Sequence, residues 1–342
     1  MKTLSSSRRA RINIVSRNHT IFITLLTLAP IAFTVALLVG SVPVTIHDVL
    51  NLLSSDQPSQ QTQVVADLRL PRALGAFTSG ALLALAGVLM QVLLRNPLAD
   101  PYILGISGGA AVATLLAMLL GAGGFVLTGS AFAGSLLSMF IVFGFAQLQG
   151  SWSPTRLLLT GVVIAAGWGA LISLILAIAP DRNLHSMLFW LMGDLSYVNT
   201  VWPGIVVLCF CLLVSLLGAR QLNVLLHGEL QASALGVDIK KLRLSIYFIA
   251  SMVTATAVTI AGTIGFVGLI VPHSIRLMIG PDNRALLPLS ALGGGLFLLI
   301  ADTLARNLAN PVEIRVGIIT ALFGAPFFLL LLIKNSSRAD SL

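Results

Sequence analysis

Long apolar stretches recur along the whole chain, separated by short segments that hold most of the charged residues. Roughly 20 mostly apolar residues in a helix cross a bilayer, because a helix rises about 1.5 Å per residue and the hydrocarbon layer is about 30 Å thick. The pattern predicts ten spans, with eight or nine as the alternative counts: about 20–40, 72–94, 100–121, 125–147, 156–179, 200–219, 244–263, 265–279, 286–308 and 315–334. The eighth is short and contains Pro272, which is typical of a broken or partly inserted helix.

Two polar segments between the spans are long enough to hold structure of their own. The first, residues 41–71, predicts a short surface helix near 45–53 and contains Asp48, Asp56, Pro58 and Asp67. The second, residues 220–243, has leucines near helical spacing and a glycine, Gly236, that offers a turn. We expect two short helices at the membrane surface rather than a span, because charged residues such as Glu229 are costly in lipid.

Composition agrees with a protein whose outer surface faces lipid. Of 342 residues, 57% are hydrophobic and only 9% are charged, whereas a soluble domain carries about 25% charged residues. A secretory signal peptide does not account for the pattern, because the apolar stretches continue far beyond the amino terminus. The predicted fold class is therefore all-α, a polytopic membrane protein. We expect one transmembrane domain over 1–342, with 1–19 as an amino-terminal tail.

The net charge of +8 is better explained by membrane orientation than by nucleic-acid binding, because the basic residues lie in short clusters between apolar stretches. With ten spans, one side receives 15 basic residues: Lys2, Arg8, Arg9, Arg11, Arg17, Arg95, Arg156, Arg220, Lys240, Lys241, Arg243, Arg276, Arg284, Lys334 and Arg338. The other side receives 5: Arg69, Arg72, Arg182, Arg306 and Arg315. The positive-inside rule then predicts that both termini are cytoplasmic.

The chain offers little support for chemistry of its own. The phosphate-loop pattern GxxxxGK[ST] is absent from the sequence, and neither a catalytic set nor metal-ligand spacing is evident. The two cysteines, Cys209 and Cys211, point about 200° apart on a helix, so they are poorly placed to pair. We therefore predict no catalytic residue, no metal site and no cofactor.

Several polar residues lie at predicted span ends. Arg69 and Arg72 precede the second span and fit either interfacial anchoring or docking to acidic groups of an outer partner. Asp100, before Pro101, is placed to cap a helix, and Gly105 with Gly109 forms a face for close helix packing. Asp302 and Arg306 lie one turn apart in the ninth span and would partly neutralise each other.

A lone histidine, His273, follows Pro272 in the eighth predicted span. It fits a satisfied helix-end residue better than a proton relay or ligand site, because such histidines are more often structural.

Several long motifs, in order along nearly the whole chain, resemble the FecCD-type permeases of bacterial ABC importers for ferric siderophores, haem and cobalamin. They are residues 69–110, Gly228-Glu229 with Ala232 and Leu235-Gly236, and the stretches 265–273, 302–306 and 316–326. The resemblance implies a type II importer permease fold, a homodimer in the inner membrane, two cytoplasmic ATPase subunits and a periplasmic or lipid-anchored binding protein.

The resemblance also implies roles for particular residues. The segment 222–240 is similar to paired coupling helices that dock on the ATPase, through Gly228, Glu229, Ala232, Leu235 and Gly236. Binding-protein docking is implied for Arg69, Arg72 and Arg306. The fifth span would line the translocation path with Gly161, Ala165, Ala166 and Gly169.

One position departs from the family pattern. Arg315 stands where such permeases usually have proline, and it fits either the outer docking surface or a pair with Glu313. The predicted cargo is a ferric siderophore, with cobalamin or haem as the alternatives within the family. The rival from another class is an ion-driven secondary transporter, which would need ionisable residues at the midplane.

Overall fold

The computed structural model describes residues 2–51, 59–147, 153–196, 198, 200–309 and 312–339, with side chains from residue 17 onward except at 332 and 334–339. Asp56 and Pro58 of the first polar segment lie outside these ranges. The regular elements within them are helices: α1 Lys2–Leu38, α2 Ile46–Asn51, α3 Gln60–Val64, α4 Leu70–Leu93, α5 Ile106–Leu119, α6 Phe125–Gln147, α7 Pro154–Ile178, α8 Asp181–Leu191, α9 Trp202–Leu217, α10 Ala219–Leu226, α11 Glu229–Ala234, α12 Ile239–Ala261, α13 Val267–Ile279, α14 Asn283–Asn307 and α15 Val316–Ala339.

Each of the ten predicted spans corresponds to a helix, which confirms the predicted all-α architecture. Six helical stretches in the described residues are long and apolar enough to cross a membrane alone, and α9 with α10 forms a further pair bent by 60°. Three apolar helices are shorter: α5, α13 and the Val316–Leu331 part of α15. Short apolar helices are tolerated at membrane depth where neighbouring protein satisfies their free backbone groups.

Helix α4 forms the centre of the bundle and packs against α12, α13 and α14. Its contacts are close because glycines face each other. A Cβ atom at Gly80 would overlap the Gly294 carbonyl of α14, and one at Gly87 would overlap the Gly268 carbonyl of α13. Helices α5 and α6 meet in the same way at Gly109, as predicted, whereas Gly105, the other residue of the predicted face, precedes α5 and lies beside α7.

The connection between α4 and α5 confirms that Asp100 is a helix cap, as predicted from its place before Pro101. The Asp100 carboxylate accepts the Tyr102 backbone N–H at 2.7 Å and caps a 3-10 turn, Pro101–Leu104. Gly105 then takes a left-handed conformation, φ 69°, before α5 begins. A side chain is disfavoured there, so glycine lets the chain turn without strain.

Two helical regions were missed in the sequence. The surface helix near 45–53 is present as α2, but residues 60–69 are helical and continue into α4. This continuation includes a π-helical turn, Val65–Arg69, which ends two residues before Pro71. The wider turn accommodates a proline that cannot donate a backbone hydrogen bond. The second is α8, whose apolar residues cover one side only and are too few for a span.

Candidate functional site

Seven charged residues gather at the end of the bundle that the charge pattern predicts to face outward. We call them the outer charge network: Arg69, Arg72, Asp194, Asp302, Arg306, Glu313 and Arg315. Asp302, on α14, is fully buried. The Arg72 Nε donates to both of its carboxylate oxygens, at 3.1 and 3.2 Å, and the Arg306 Nε lies 3.2 Å from Oδ2. One buried carboxylate therefore balances two arginines from different helices.

The carboxyl end of α1 is held by two arginines of this network. Arg69 donates through Nη1 to the Leu37 and Leu38 carbonyls at 2.7 and 2.9 Å, and also to the Val42 carbonyl. Arg306 donates to the Ala36 carbonyl at 3.2 Å. The last carbonyls of a helix lack intrahelical partners and carry partial negative charge, so guanidinium groups stabilise them.

The three arginines predicted to meet a binding protein thus already have hydrogen-bond partners within the chain. Arg69 is 5% exposed, and the side chains of Arg72 and Arg306 are 12% and 7% exposed. Glu313, whose Oε2 lies 2.9 Å from the Arg72 Nη1, is 45% exposed and is the open side of the network. Docking through these arginines stays a prediction, and a partner carboxylate would have to share or displace these contacts.

Arg315 is not paired with Glu313, which was one of the two alternatives considered from the sequence; its place in an outer docking surface stays a prediction. Its Nη1 lies 3.2 Å from both Asp194 Oδ1 and Ser196 Oγ, and its guanidinium carbon lies 3.8 Å from the centre of the Phe189 ring on α8. Glu313 is instead bound to Arg72. Arg315 therefore ties the start of α15 to α8 and the segment after it. No signal in the sequence pointed to this contact, because α8 was not foreseen.

The predicted pair of short helices in residues 220–243 is present as α10 and α11. We call residues 219–238 the coupling segment. Gly228, at φ 113°, separates the two helices, and Gly236, at φ 79°, reverses the chain after α11. Both backbone conformations favour glycine. The Asn223 side chain connects α10 to the start of α14. Its Nδ2 donates to Asp282 Oδ1 at 2.6 Å, and its Oδ1 accepts the Asn283 backbone N–H at 2.8 Å.

The five residues predicted to contact an ATPase are not all on the surface. Ala232 is fully buried, and the Glu229 carboxylate turns towards the bundle, where Arg95 and Arg243 bind it. Leu235 is 71% exposed. Leu230, which was not singled out from the sequence, is 89% exposed. The open face of α11 therefore presents two leucines.

Comparison with known proteins places the chain in a family. Residues 27–334 match the FecCD transport family. The chain belongs to the FecCD transport family. It is 46% identical over 287 residues to the cobalamin import system permease protein of Halobacterium salinarum, covering 82% of this chain and 76% of that protein. It is 41% identical over 282 residues to the hemin transport system permease protein of Yersinia pestis, covering 80% and 84%.

The fold matches a solved transporter as well. A metal-chelate type ABC transporter in an inward-facing conformation superposes with a TM-score of 0.82 and 34% identity, covering 92% of this chain and 99% of that one. The chain is thus an ABC-importer permease of the FecCD family and a multi-pass membrane protein.

The FecCD helix predicted to line the path, α7, buries one narrow stripe and leaves the rest open. Gly161 belongs to the buried stripe, where it contacts the Ile103 carbonyl, and Ala165 is half-buried. Trp168 secures the same stripe, since its Nε1 donates to Ser138 Oγ at 2.9 Å. Ala166 and Gly169 are exposed. Two of the four predicted path residues are therefore on the open face.

His273 of this FecCD chain is buried in α13 rather than satisfied at a helix end. It is 5% exposed, and its ring lies edge-on to Phe328 with the centres 6.4 Å apart. Neither ring nitrogen has a hydrogen-bond partner among the described residues.

Proposed function

We propose that this FecCD permease works as a homodimer, that two separate ATPase subunits drive it from the coupling segments, and that a binding protein delivers a metal chelate to its outer end. The observation that carries the proposal is the coupling segment: two short helices, held to the bundle, with an open apolar face. The lack of a phosphate loop in the sequence supports a separate source of ATP hydrolysis.

The ATPase contact is proposed for the open face of α11. Leu230 and Leu235 project there, and exposed leucines on a surface helix fit an apolar groove of a partner. Gly228 and Gly236 set the shape of the segment, and Ala232 packs beneath it. Glu229 belongs to the same segment.

The homodimer is proposed because α7 has much apolar surface that packing within the chain leaves open. Val162, Val163, Leu171 and Leu174 are all more than 40% exposed. A second copy facing α7 would enclose a path between the two chains, lined by the small residues Ala166 and Gly169. Gly161 and Ala165 would support that wall from behind.

Orientation follows from the charge bias. The 15 to 5 distribution of basic residues supports cytoplasmic termini, a cytoplasmic coupling segment and an outer charge network facing the binding protein. ATP binding would close the ATPase dimer and move the coupling segments, and the helices would then shift as rigid bodies to change which end of the path is open.

The proposed cargo is a ferric siderophore. Cobalamin is the second candidate, because a cobalamin permease is 46% identical to this chain, and haem is the third, with a hemin permease at 41%. The absence of an evident metal-ligand set in the sequence fits a cargo that stays inside its chelate and is selected by the binding protein.

Reconstitution tests the proposal. The chain, its cognate ATPase subunit and its binding protein would be placed in vesicles and supplied with ferrichrome, cobalamin or haemin. We expect accumulation of one chelate that requires ATP and stops when the Walker lysine of the ATPase is replaced. Accumulation that follows a proton or sodium gradient without ATP hydrolysis would instead identify a secondary transporter. Uptake of cobalamin or haemin alone would replace the siderophore as the cargo.

A further inference from the structure

One carboxylate oxygen in the coupling segment binds two arginines from different parts of the bundle. Glu229 is the first residue of α11, and its Oε1 lies 2.7 Å from the Arg95 Nη2. Arg243 donates to the same oxygen. Charge-assisted hydrogen bonds of this kind are stronger than neutral ones and have restricted geometry. The coupling segment is therefore bound to two other elements at a single atom.

The two arginines come from the helices that form the centre of the bundle. Arg95 lies just past the end of α4, and Arg243 lies in the first turns of α12, where its side chain is only 9% exposed. Helices α4 and α12 pack extensively on each other. A displacement of Glu229 would therefore act on α4 and α12 at the same end of the bundle.

Arg95 directly follows the cap of α4 and takes the left-handed conformation that commonly ends a helix, with φ 48°. The Asn96 N–H donates to the Gln91 carbonyl at 3.1 Å and closes the last turn of α4. The Arg95 side chain therefore extends from the fixed end of α4, and its ion pair with Glu229 joins the coupling segment to that end.

The Glu229 side chain is bound to the bundle and is less exposed than the two leucines of the same segment. Glu229 is 38% exposed, whereas Leu230 and Leu235 are 89% and 71% exposed. The segment thus has a docking side of leucines and an inner side anchored by a carboxylate. These two sides have separable roles.

We propose that Glu229 is a positioning residue that transmits movement of the coupling segment to α4 and α12 through Arg95 and Arg243, rather than a contact of the ATPase. The inference rests on the proposed function, since it assumes that an ATPase moves the segment. Leu230 and Leu235 supply the docking energy, and the Glu229–arginine contacts pass the displacement on.

The experiment measures docking and transmission separately in the full complex. Cys209→Ser and Cys211→Ser would remove the native thiols, and Leu68→Cys, at a 63% exposed position near the outer end of the helix that continues into α4, would carry a nitroxide label. Electron–electron double resonance between the two copies would report the distance with and without ATP and vanadate. Titration with the ATPase subunit would report docking.

The variants are Glu229→Gln, Arg95→Gln and their double. Leu235→Ala is the docking control, and Arg182→Gln, at an exposed cation on α8, is the neutral control. We expect Glu229→Gln to bind the ATPase within about twofold of the parent but to lose most of the ATP-dependent change in distance. Arg95→Gln should lose part of it, and the double should be no worse than Glu229→Gln, since coupled residues do not add. Leu235→Ala should weaken docking about tenfold and keep the change at saturating ATPase.

The outcomes distinguish the inference from the proposal beneath it. If Glu229→Gln weakens docking as Leu235→Ala does, or if its distance change equals that of the parent, Glu229 is not a transmission residue. Arg95→Gln gives the same information should Glu229→Gln fail to fold, because it keeps the Arg243 contact. A parent chain that neither binds the ATPase nor responds to ATP would overturn the proposed function itself.

Discussion

Arg72 and Asp302 are 230 residues apart in the chain, yet the Arg72 guanidinium binds both oxygens of the Asp302 carboxylate across α4 and α14. Asp302 is fully buried and also balances Arg306. The pair therefore joins two core helices at the end of the bundle that is proposed to face outward and receive the cargo.

Replacing this buried carboxylate should be strongly destabilising. Asp302→Asn leaves two largely buried arginines without their counter-charge, and breaking a buried pair by removing one partner costs about 3–5 kcal/mol. We expect a large loss of Tm in detergent. Glu313→Gln is the matched control, since Glu313 binds the same Arg72 but is 45% exposed; an exposed pair contributes about 0–1 kcal/mol. Equal losses in the two variants would contradict the central position of Asp302.

The glycine contacts of α4 predict a second difference in stability. Gly87→Ala places a Cβ atom against the Gly268 carbonyl of α13, and overpacking of this kind costs about 1–3 kcal/mol or more. Gly167→Ala on α7 is the control, because no atom lies within 4 Å of its Cβ position. Thermal unfolding of both variants should show a lower Tm for the first and no change or a small gain for the second. A stable Gly87→Ala variant would mean that α4 and α13 are further apart.

The exposed face of α7 can be tested for a path. Ala166→Trp fills the space in front of this face, so the rate of uptake into vesicles should fall at least tenfold while Tm stays the same. A tenfold lower rate corresponds to an increase of about 1.4 kcal/mol in the activation free energy of transport. Phe210→Trp on α9 introduces the same side chain at a position that is already 65% exposed and should transport as the parent does. Normal uptake by Ala166→Trp would place the path elsewhere.

Arg315 should restrain the segment after α8. Arg315→Ala removes the contacts to Asp194, Ser196 and the Phe189 ring, and a cation over an aromatic ring contributes about 0.5–2 kcal/mol. We expect faster amide hydrogen exchange in residues 193–196, with little change in α12. Arg182→Ala, on the first turn of α8, is the control for loss of an outer cation. Unchanged exchange after Arg315→Ala would show that other contacts hold this segment.

The sequence predicts the long helices well because their signal is local. Twenty apolar residues are visible as a run, and the leucine spacing with Gly236 predicts the two short helices of the coupling segment. The interactions of the arginines are not local. Arg72 binds Asp302 of a helix that is distant in the chain. Arg69 binds backbone carbonyls, and because every residue has one, the sequence does not indicate which of them it binds.

One half-length helix was difficult for a related reason. Apolar length predicts a span over 100–121, but it does not reveal that α5 has only 14 residues and begins after a 3-10 turn. The shortness of the eighth span is visible in the sequence, and α13 has 13 residues. Similarly, the family resemblance points to Glu229 in the coupling segment without indicating that its carboxylate faces inward. Only the packed structure distinguishes a side chain that meets a partner from one that holds its own segment in place.

The π-helical turn Val65–Arg69 has a consequence for how this chain tolerates changes in length. A π-helical turn takes up one extra residue in a single wide turn, so the residues on either side keep the faces that a regular helix would give them. Thr62 is buried at 3% exposure while its neighbours Gln61 and Gln63 face solvent. A one-residue deletion inside the turn would return it to α-helical geometry and leave Thr62 buried, whereas the same deletion in the α-helical part of α4 would rotate Thr62 by about 100° relative to the helix beyond the deletion. The chain can therefore lose one residue at this turn and not within the helix.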